Sequence, residues 1–184
     1  MRTPWKALIG TIISVTFLLA TNVVLAATAA ELSRGAQSAL QSLYAKVPSS
    51  KTLGANAKAI LVFPKVTKAG LGVGGQFGEG ALLKGGKALA YYNTAGASIG
   101  LQAGAQTYGY ALFLMTDKAV QAIDTADGFE IGVGPTVVVM DEGKAKSMTT
   151  TTMKDDIYAF IFGQQGLMAG IGVQGNKVTK INPK

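Results

Sequence analysis

The segment Gly96–Gly100, which reads Gly-Ala-Ser-Ile-Gly, carries the spacing best suited to nucleophilic catalysis. It matches the G-x-S-x-G turn that exposes a serine for attack. Such a serine needs a base to take its proton, and the 184-residue chain contains no histidine. A Ser–Lys pair would be the remaining route, but nothing in the sequence places a lysine beside Ser98. We therefore expect no enzyme activity, and hydrolysis through Ser98 is the weakest of three functional hypotheses.

Two glycine-rich segments are similar to phosphate-binding loops, but each lacks a required part. Gly70–Gly75 fits G-x-G-x-x-G, yet Gln76–Gly80 is a poor helix former where a dinucleotide-binding fold needs a helix. Gly80–Lys87 has Gly86 at the position where a P-loop needs its lysine. We therefore expect no nucleotide cofactor.

The residue types that hold metals are scarce. The chain has neither cysteine nor histidine, so zinc and haem sites are not expected. The acidic pairs Asp141-Glu142 and Asp155-Asp156 do not have the spacing of a calcium loop. The sequence predicts no metal and no cofactor.

Basic residues are concentrated in one part of the chain. Segment 34–87 holds eight lysines and arginines against one acid, whereas segment 117–156 holds eight acids against four lysines. Clustered positive charge favours anionic partners such as phospholipid headgroups, and we expect no nucleic-acid partner. The predicted headgroup-binding residues are Lys65, Lys68, Lys84 and Lys87, with Arg34, Lys46, Lys51 and Lys58 contributing from the helical region.

Residues 1–26 have the pattern of a secretory signal. Arg2 and Lys6 precede an uncharged, largely apolar stretch that ends in Val24-Leu25-Ala26, a suitable cleavage site. The alternative is an uncleaved membrane anchor, because 20 uncharged residues could just span a bilayer. Cleavage would leave residues 27–184 as a single domain of net charge +5 in the periplasm, where it could lie peripherally on the inner or outer membrane.

Three helices are predicted. Thr28–Glu31 has the spacing of a capping box, and apolar residues then recur every three or four positions until Pro48. This amphipathic helix could lie on a membrane, but its alanine-rich stripe favours docking on the domain's own core. A short helix is expected over about Lys51–Ala57, and another over Asp117–Ile123, capped by Thr116 or Asp117.

The rest of the chain reads as β-structure with natural turns at 141–143 and 174–176. Many short strands with brief connections imply antiparallel pairing. Eight of the 17 residues in 70–86 are glycine, which suits a tightly bent sheet or close backbone approach. The predicted fold is α+β, a strongly bent antiparallel sheet or partial β-barrel with an N-terminal amphipathic helix and one or two short helices. The predicted strands are Ala59–Phe63, Leu71–Phe77, Gly80–Leu83, Ala88–Tyr92, Ser98–Ala103, Tyr108–Met115, Phe129–Val133, Thr136–Met140, Ile157–Phe162, Leu167–Val173 and Lys177–Ile181.

A set of distinctive motifs follows one after another along most of the chain. They are Ala59–Pro64, Lys68–Gly72, Gly74–Gly80, Ala97–Gln106, Leu112–Thr116 and Gln165–Gly175. In order and spacing these motifs resemble the SYLF domain family, over roughly Leu40 to Ile181. The chain looks most like the bacterial exported members, which consist of a signal peptide and this domain.

The resemblance implies lipid binding. Eukaryotic members of the family bind phosphoinositides and other anionic phospholipids, sometimes through an N-terminal amphipathic helix, and some bind actin. Where those members have a lysine-bearing S-K-G-L-F turn, this chain has Gln164–Met168. A phosphate contact in that loop is therefore not carried over to this chain.

The leading hypothesis from the sequence is an exported, non-catalytic protein that binds anionic phospholipid peripherally at the bacterial envelope. The second hypothesis is a structural or interaction module whose partner is an envelope protein or a polymer. Binding to anionic vesicles separates the two, because a module for a protein partner should stay unbound to lipid of any charge.

Overall fold

The computed structural model describes residues 27–125, 127–131, 133–141, 153–166 and 176–184. The predicted signal segment, the predicted strand Leu167–Val173 and most of both predicted turns lie outside these ranges. The described helices are α1 (Ala29–Lys46), α2 (Ser50–Asn56) and α3 (Asp117–Ile123). The described strands are β1 (Ala59–Lys84), β2 (Lys87–Leu114), β3 (Phe129–Glu130), β4 (Val137–Met140), β5 (Ile157–Gly166) and β6 (Lys177–Ile181).

The N-terminal helix forms where the capping box predicts it. The amide of Glu31 donates to the Thr28 hydroxyl at 3.3 Å, and the Thr28 amide donates to the Glu31 carboxylate at 2.8 Å. These bonds satisfy amides that have no partner inside the helix. The apolar stripe of α1 is buried against the sheet, so the predicted docking is confirmed. The buried residues of the stripe are Leu32, Ala36, Leu40 and Leu43.

The predicted β-structure is in the right places, but the predicted number of strands is wrong. The runs predicted between Ala59 and Leu83 form the single strand β1, and those between Ala88 and Met115 form β2. The register of the β1–β2 pair shifts at Phe63/Val66, Leu71/Val73 and Leu82/Leu83. A bulge bends a strand and interrupts its alternation without ending the ladder. These bulges give the sequence the appearance of several short strands.

The strand β2 is the centre of the sheet. One edge of β2 pairs with β1, and the other edge pairs with β6 through Tyr91–Ala95 and with β5 through Gln106–Leu114. These pairs are antiparallel as predicted, but β4 and β5 are parallel. The 16 residues between β4 and β5 are enough for the crossover that a parallel pair needs. The sheet curls into a half-barrel, which confirms the predicted α+β fold.

Glycines allow β1 to fold over its own first half. A methyl group added at Gly78 would lie 2.8 Å from the carbonyl oxygen of Lys65, and one at Gly80 would collide with the carbonyl oxygen of Val62. Gly70 is similarly close to the backbone of Gly74. Backbones approach this closely only where no Cβ intervenes, so the glycine-rich run serves the tight bend that the sequence predicts.

The curled sheet separates two hydrophobic clusters. Leu61 and Leu112 face the interior of the curl, where α3 contributes Ile123. Val62 and Phe113 face the opposite side, where α1 and α2 cover them. Tyr158 and Phe160 of β5 are also buried in this second cluster. Across the part of the chain that the structure describes, no helix is long and apolar enough to cross a membrane.

Candidate functional site

Two of the predicted basic residues meet at one cleft although they lie 19 positions apart. Lys46 is the last residue of α1, and Lys65 lies with Pro64 in the bulge between Phe63 and Val66 of β1; both lysines are exposed. The docking of α1 on the sheet therefore makes both lysines part of the lining of one cleft. The cleft has a volume of about 390 Å³ and is lined by Ala39, Ser42, Lys46, Pro64, Lys65, Thr107, Tyr108, Gly109, Phe162, Gly163 and Gln165.

The walls of this Lys46–Lys65 cleft combine cations with neutral hydrogen-bonding groups. Ser42 and Thr107 bring hydroxyls, and Gln165 brings an amide. The Tyr108 hydroxyl is less available to bind a ligand in the cleft, because it donates a hydrogen bond to Gln76 at 2.9 Å. Burial raises the pKa of Tyr108 to about 12. Lysines with hydroxyl and amide donors suit a phosphate or another small anion.

A second pair of predicted residues flanks the turn between β1 and β2. Lys84 and Lys87 are register partners on either side of Gly85-Gly86, and both lysines are exposed. The two glycines have φ of +55° and +78°, the left-handed geometry of a tight hairpin turn. Helix α1 contacts this turn, because Gln37 donates to the Gly86 carbonyl at 2.7 Å.

The other predicted basic residues are not among those that line the Lys46–Lys65 cleft. Lys58 lines a cleft of about 180 Å³ with Lys84, but its ammonium also lies 3.8 Å from the Asp117 carboxylate. Arg34 and Lys51 are exposed on α1 and α2. Lys68 is buried, with only 8% of its surface exposed, so it is not part of the exposed basic surface that the sequence predicts.

An apolar surface that sequence reasoning missed lies beside the Lys46–Lys65 cleft. A trough of about 590 Å³ is bordered by backbone and small side chains of both long strands. Leu71, Val73 and Phe77 of the same strand β1 are 84%, 66% and 52% exposed. The trough is lined by Thr67, Ala69, Gly75, Gln76, Phe77, Ala95, Gly96 and Ala97.

The trough and the cleft are adjacent. Thr67 of the trough is the register partner of Thr107 of the cleft, and Lys65 precedes Thr67 by two residues. The sequence signal for the apolar surface is the alternation that follows Pro64, where odd-numbered residues of β1 face outward. The bulge at Pro64 exchanges the residues of β1 that face inward with those that face outward. Alternation counted from Ala59 therefore assigns the odd-numbered residues after Pro64 to the inward face, which is wrong.

The motifs that resemble active-site loops lie inside strands. The segment Gly96–Gly100 lies within β2, with the backbone of Ser98 opposite Gly74, whereas a nucleophile elbow joins a strand to a helix. Gly70–Gly75 lies within β1 and does not begin a helix. Among the described residues, no three metal-binding side chains cluster.

The described residues form an α+β fold with a cationic cleft beside an apolar trough. The family model described as "Ysc84: Las17-binding protein actin regulator" matches residues 95–182. Ysc84 is the SYLF family, so the resemblance seen in the motifs is confirmed over these residues. The match covers β2 from Ala95 onward and the later strands, whereas the motifs between Ala59 and Gly80 precede it. No curated protein matches the chain.

Proposed function

We propose that this protein is exported and binds anionic phospholipid peripherally at the bacterial envelope, without catalysing a reaction. The observation that carries the proposal is the meeting of Lys46 and Lys65 at one cleft with hydroxyl and amide groups. A phospholipid phosphate would accept hydrogen bonds from both ammonium groups there. The family match supports a binding domain for lipid or for a protein partner.

The expected strength of binding follows from the number of lysines that reach the surface. A lysine near an anionic membrane contributes about 1 kcal/mol, so a single pair gives weak binding and several lysines give measurable binding. The sequence analysis also expects Lys84 and Lys87 to bind headgroups, but they lie at the hairpin turn, away from the cleft, so we expect them to contribute less than Lys46 and Lys65. Exposed charges are screened by salt, so binding should weaken as the ionic strength rises.

The export part of the proposal rests on residues 1–26 and their charged, apolar and small-residue regions. Expression of the full chain in a bacterium, followed by fractionation of the cells, tests it. We expect the protein in the periplasmic fraction with a mass that corresponds to a chain beginning at Ala27. Recovery in the cytoplasm, or of the uncut chain in the inner membrane, would contradict export with cleavage.

Flotation with vesicles tests lipid binding on the protein recovered from that fraction. Vesicles of phosphatidylcholine alone are compared with vesicles that contain one quarter phosphatidylglycerol, each at low and high salt. We expect flotation with the anionic vesicles and a marked loss at high salt. Absence of flotation with either vesicle would reject the proposal.

A matched pair of double variants separates the cleft from general charge. Lys46→Gln with Lys65→Gln, and Lys84→Gln with Lys87→Gln, remove the same two charges from exposed positions. We expect the cleft variant to lower the partition coefficient about tenfold or more and the hairpin variant to lower it less, because Lys46 and Lys65 both line one cleft together with Ser42, Thr107 and Gln165. Equal losses would mean that net charge, and not the cleft, drives binding.

A second candidate is a module that binds an envelope protein or a polymer, which the exposed Leu71 and Val73 favour. The family description names Las17 binding and actin regulation. An exported bacterial protein would not meet a cytoskeletal partner, so we do not carry those partners over to this chain. A protein-binding module would stay at the bottom of the flotation gradient with both types of vesicle.

A further inference from the structure

We propose that the bent end of the β1–β2 ribbon, with Leu71, Val73 and Phe77 at its surface, inserts into the acyl-chain region of the bilayer that the protein binds. This inference rests on the proposed lipid binding and names the part of the lipid that the apolar trough contacts. The three side chains are 84%, 66% and 52% exposed, although they are large and apolar. Exposed apolar surface of this kind marks an interaction site.

The absence of charged side chains around the bend favours contact of this surface with a membrane over exposure to water or contact with another protein. Residues 69–78 of β1 contain no charged side chain, and residues 88–116, which include all of β2 beyond Lys87, contain none either. The paired strands at the bend are therefore uncharged on both sides. Water-facing surfaces usually carry mixed charges, and charged side chains are costly inside a bilayer.

The backbone at the bend limits how deep the insertion goes. Between Val66 and Phe77, most residues of β1 are paired in the ladder with β2. In a two-stranded antiparallel ribbon, every second residue directs its amide and carbonyl away from the partner strand, and such groups need water or headgroups as hydrogen-bond partners. The side chains of Leu71 and Val73 therefore enter the acyl-chain region while the ribbon backbone stays at the level of the headgroups.

The order of groups along β1 matches the order of layers in a membrane. Lys65 lies at the cleft, Thr67 and Ala69 line the trough, and Leu71 and Val73 follow at the bend. A lysine next to an apolar end would bind the headgroup layer while the apolar end enters the chains below. The opposite end of the ribbon, at Lys84 and Lys87, lies ten residues beyond Gly74, which is roughly 30 Å of strand.

Site-specific fluorescence tests this insertion directly, because the chain has no cysteine. Leu71→Cys and Leu89→Cys each give one labelling site for an environment-sensitive nitrobenzoxadiazole dye. Leu89 is 60% exposed and lies beside the hairpin turn, so it is the matched control. The vesicles contain one quarter phosphatidylglycerol and carry a spin-labelled lipid with the quencher on the acyl chain.

We expect the label at position 71 to brighten several-fold on addition of vesicles and to be quenched by the acyl-chain spin label, and the label at position 89 to change little. If the protein floats with the vesicles but the label at position 71 stays in water, the insertion is wrong and lipid binding stands. If the protein does not float, both proposals fail. A change at position 71 that depends on protein concentration without vesicles would assign this surface to a second copy and overturn the insertion.

A substitution series gives an independent readout. Leu71→Thr should lower partition into anionic vesicles about tenfold, with the loss persisting at high salt because apolar burial is not screened. Leu89→Thr should leave partition within twofold of the unmodified protein. Equal effects of the two substitutions would overturn the insertion. Both positions are exposed, so far-ultraviolet circular dichroism should show the native fold in each variant.

Discussion

At the scale of single residues, Gly80 permits the crossing of β1 over itself. A methyl group there would meet the carbonyl oxygen of Val62 and come within 2.8 Å of the Phe63 ring. Both neighbours are buried, so neither can move away freely. The small size of residue 80 is therefore a requirement of the fold.

Substitution of Gly80 tests this requirement. Gly80→Ala should lower the free energy of unfolding by about 1–3 kcal/mol, the usual cost of inserting a carbon atom into a packed site. Gly75→Ala is the matched control in the same strand, because its added methyl would meet only the Gly96 carbonyl at 3.8 Å. Urea unfolding of both variants measures the difference. Equal unfolding midpoints would show that the two limbs of β1 do not cross closely.

At the scale of elements, Asp156 joins three parts of the fold. Its carboxylate accepts a hydrogen bond from the hydroxyl of Thr116, the cap of α3, at 2.8 Å and from the backbone amide of Thr136, next to β4, at 3.1 Å. These two bonds, the first being the larger influence, and nearby Lys118 lower the pKa of Asp156 from its usual value of 3.8. Asp156 itself lies immediately before β5.

The pH dependence of stability follows from the lowered pKa of Asp156. A carboxylate with a lowered folded-state pKa contributes stability that is fully present above the unfolded-state value, near pH 4, and is lost as pH falls through the folded-state pKa. Asp156→Asn should therefore lower the free energy of unfolding by roughly 1 kcal/mol at pH 7, and the deficit should shrink below pH 4. Urea unfolding at pH 7 and at pH 3 measures both values.

Asp155→Asn is the matched control for this prediction. Asp155 accepts a hydrogen bond from the Tyr158 hydroxyl of the following strand at 3.3 Å and so supports a local contact. We expect its substitution to have a smaller effect on the free energy of unfolding at pH 7. A deficit for Asp156→Asn that is unchanged between pH 7 and pH 3 would contradict the assigned role of the charge.

The elements also show what the sequence can and cannot predict. The helices were predictable because caps and apolar periodicity are local: α3 spans Asp117–Ile123 as predicted, with the Thr116 hydroxyl accepting from the Ala119 amide. The merging of the short predicted runs into β1 and β2 was not predictable, because a bulge and a strand end look alike in the sequence when the partner strand is not known. The same bulge at Pro64 concealed the outward direction of Leu71 and Val73.

The candidate site was predictable in composition but not in arrangement. Charge clustering selects the eight basic residues, yet it cannot show that Lys46 and Lys65 share a cleft or that Lys68 is buried. The cleft forms only when α1 docks across β1, a contact between segments that are far apart in the sequence. The trough depends on the fold of β1 over itself, and its sequence signal, the alternation after Pro64, can be interpreted only when the bulge is known.

At the scale of the whole molecule, the two clusters lie on opposite faces of one sheet, and α1 completes one of them. Release of α1 onto a membrane would transfer Leu32, Leu40 and Leu43 to lipid at little cost. It would also uncover the sheet residues beneath the helix, including Ile60, Val62 and Phe113, all of which are buried. Exposure of a large apolar side chain costs about 1.5–3 kcal/mol, so uncovering several approaches the 5–15 kcal/mol that stabilises a typical domain.

We therefore expect α1 to remain docked when the protein binds lipid, in contrast to the membrane-bound N-terminal helix that the family resemblance allows. Hydrogen exchange with and without vesicles of one quarter phosphatidylglycerol measures this. The amides of α1 should keep their protection on binding, because the helix stays on the sheet and membrane contact occurs at the bend near Leu71. Loss of protection along α1, together with increased exchange in the strand segment Ile60–Phe63, would show instead that the helix leaves the sheet and that the membrane contact involves a rearranged fold.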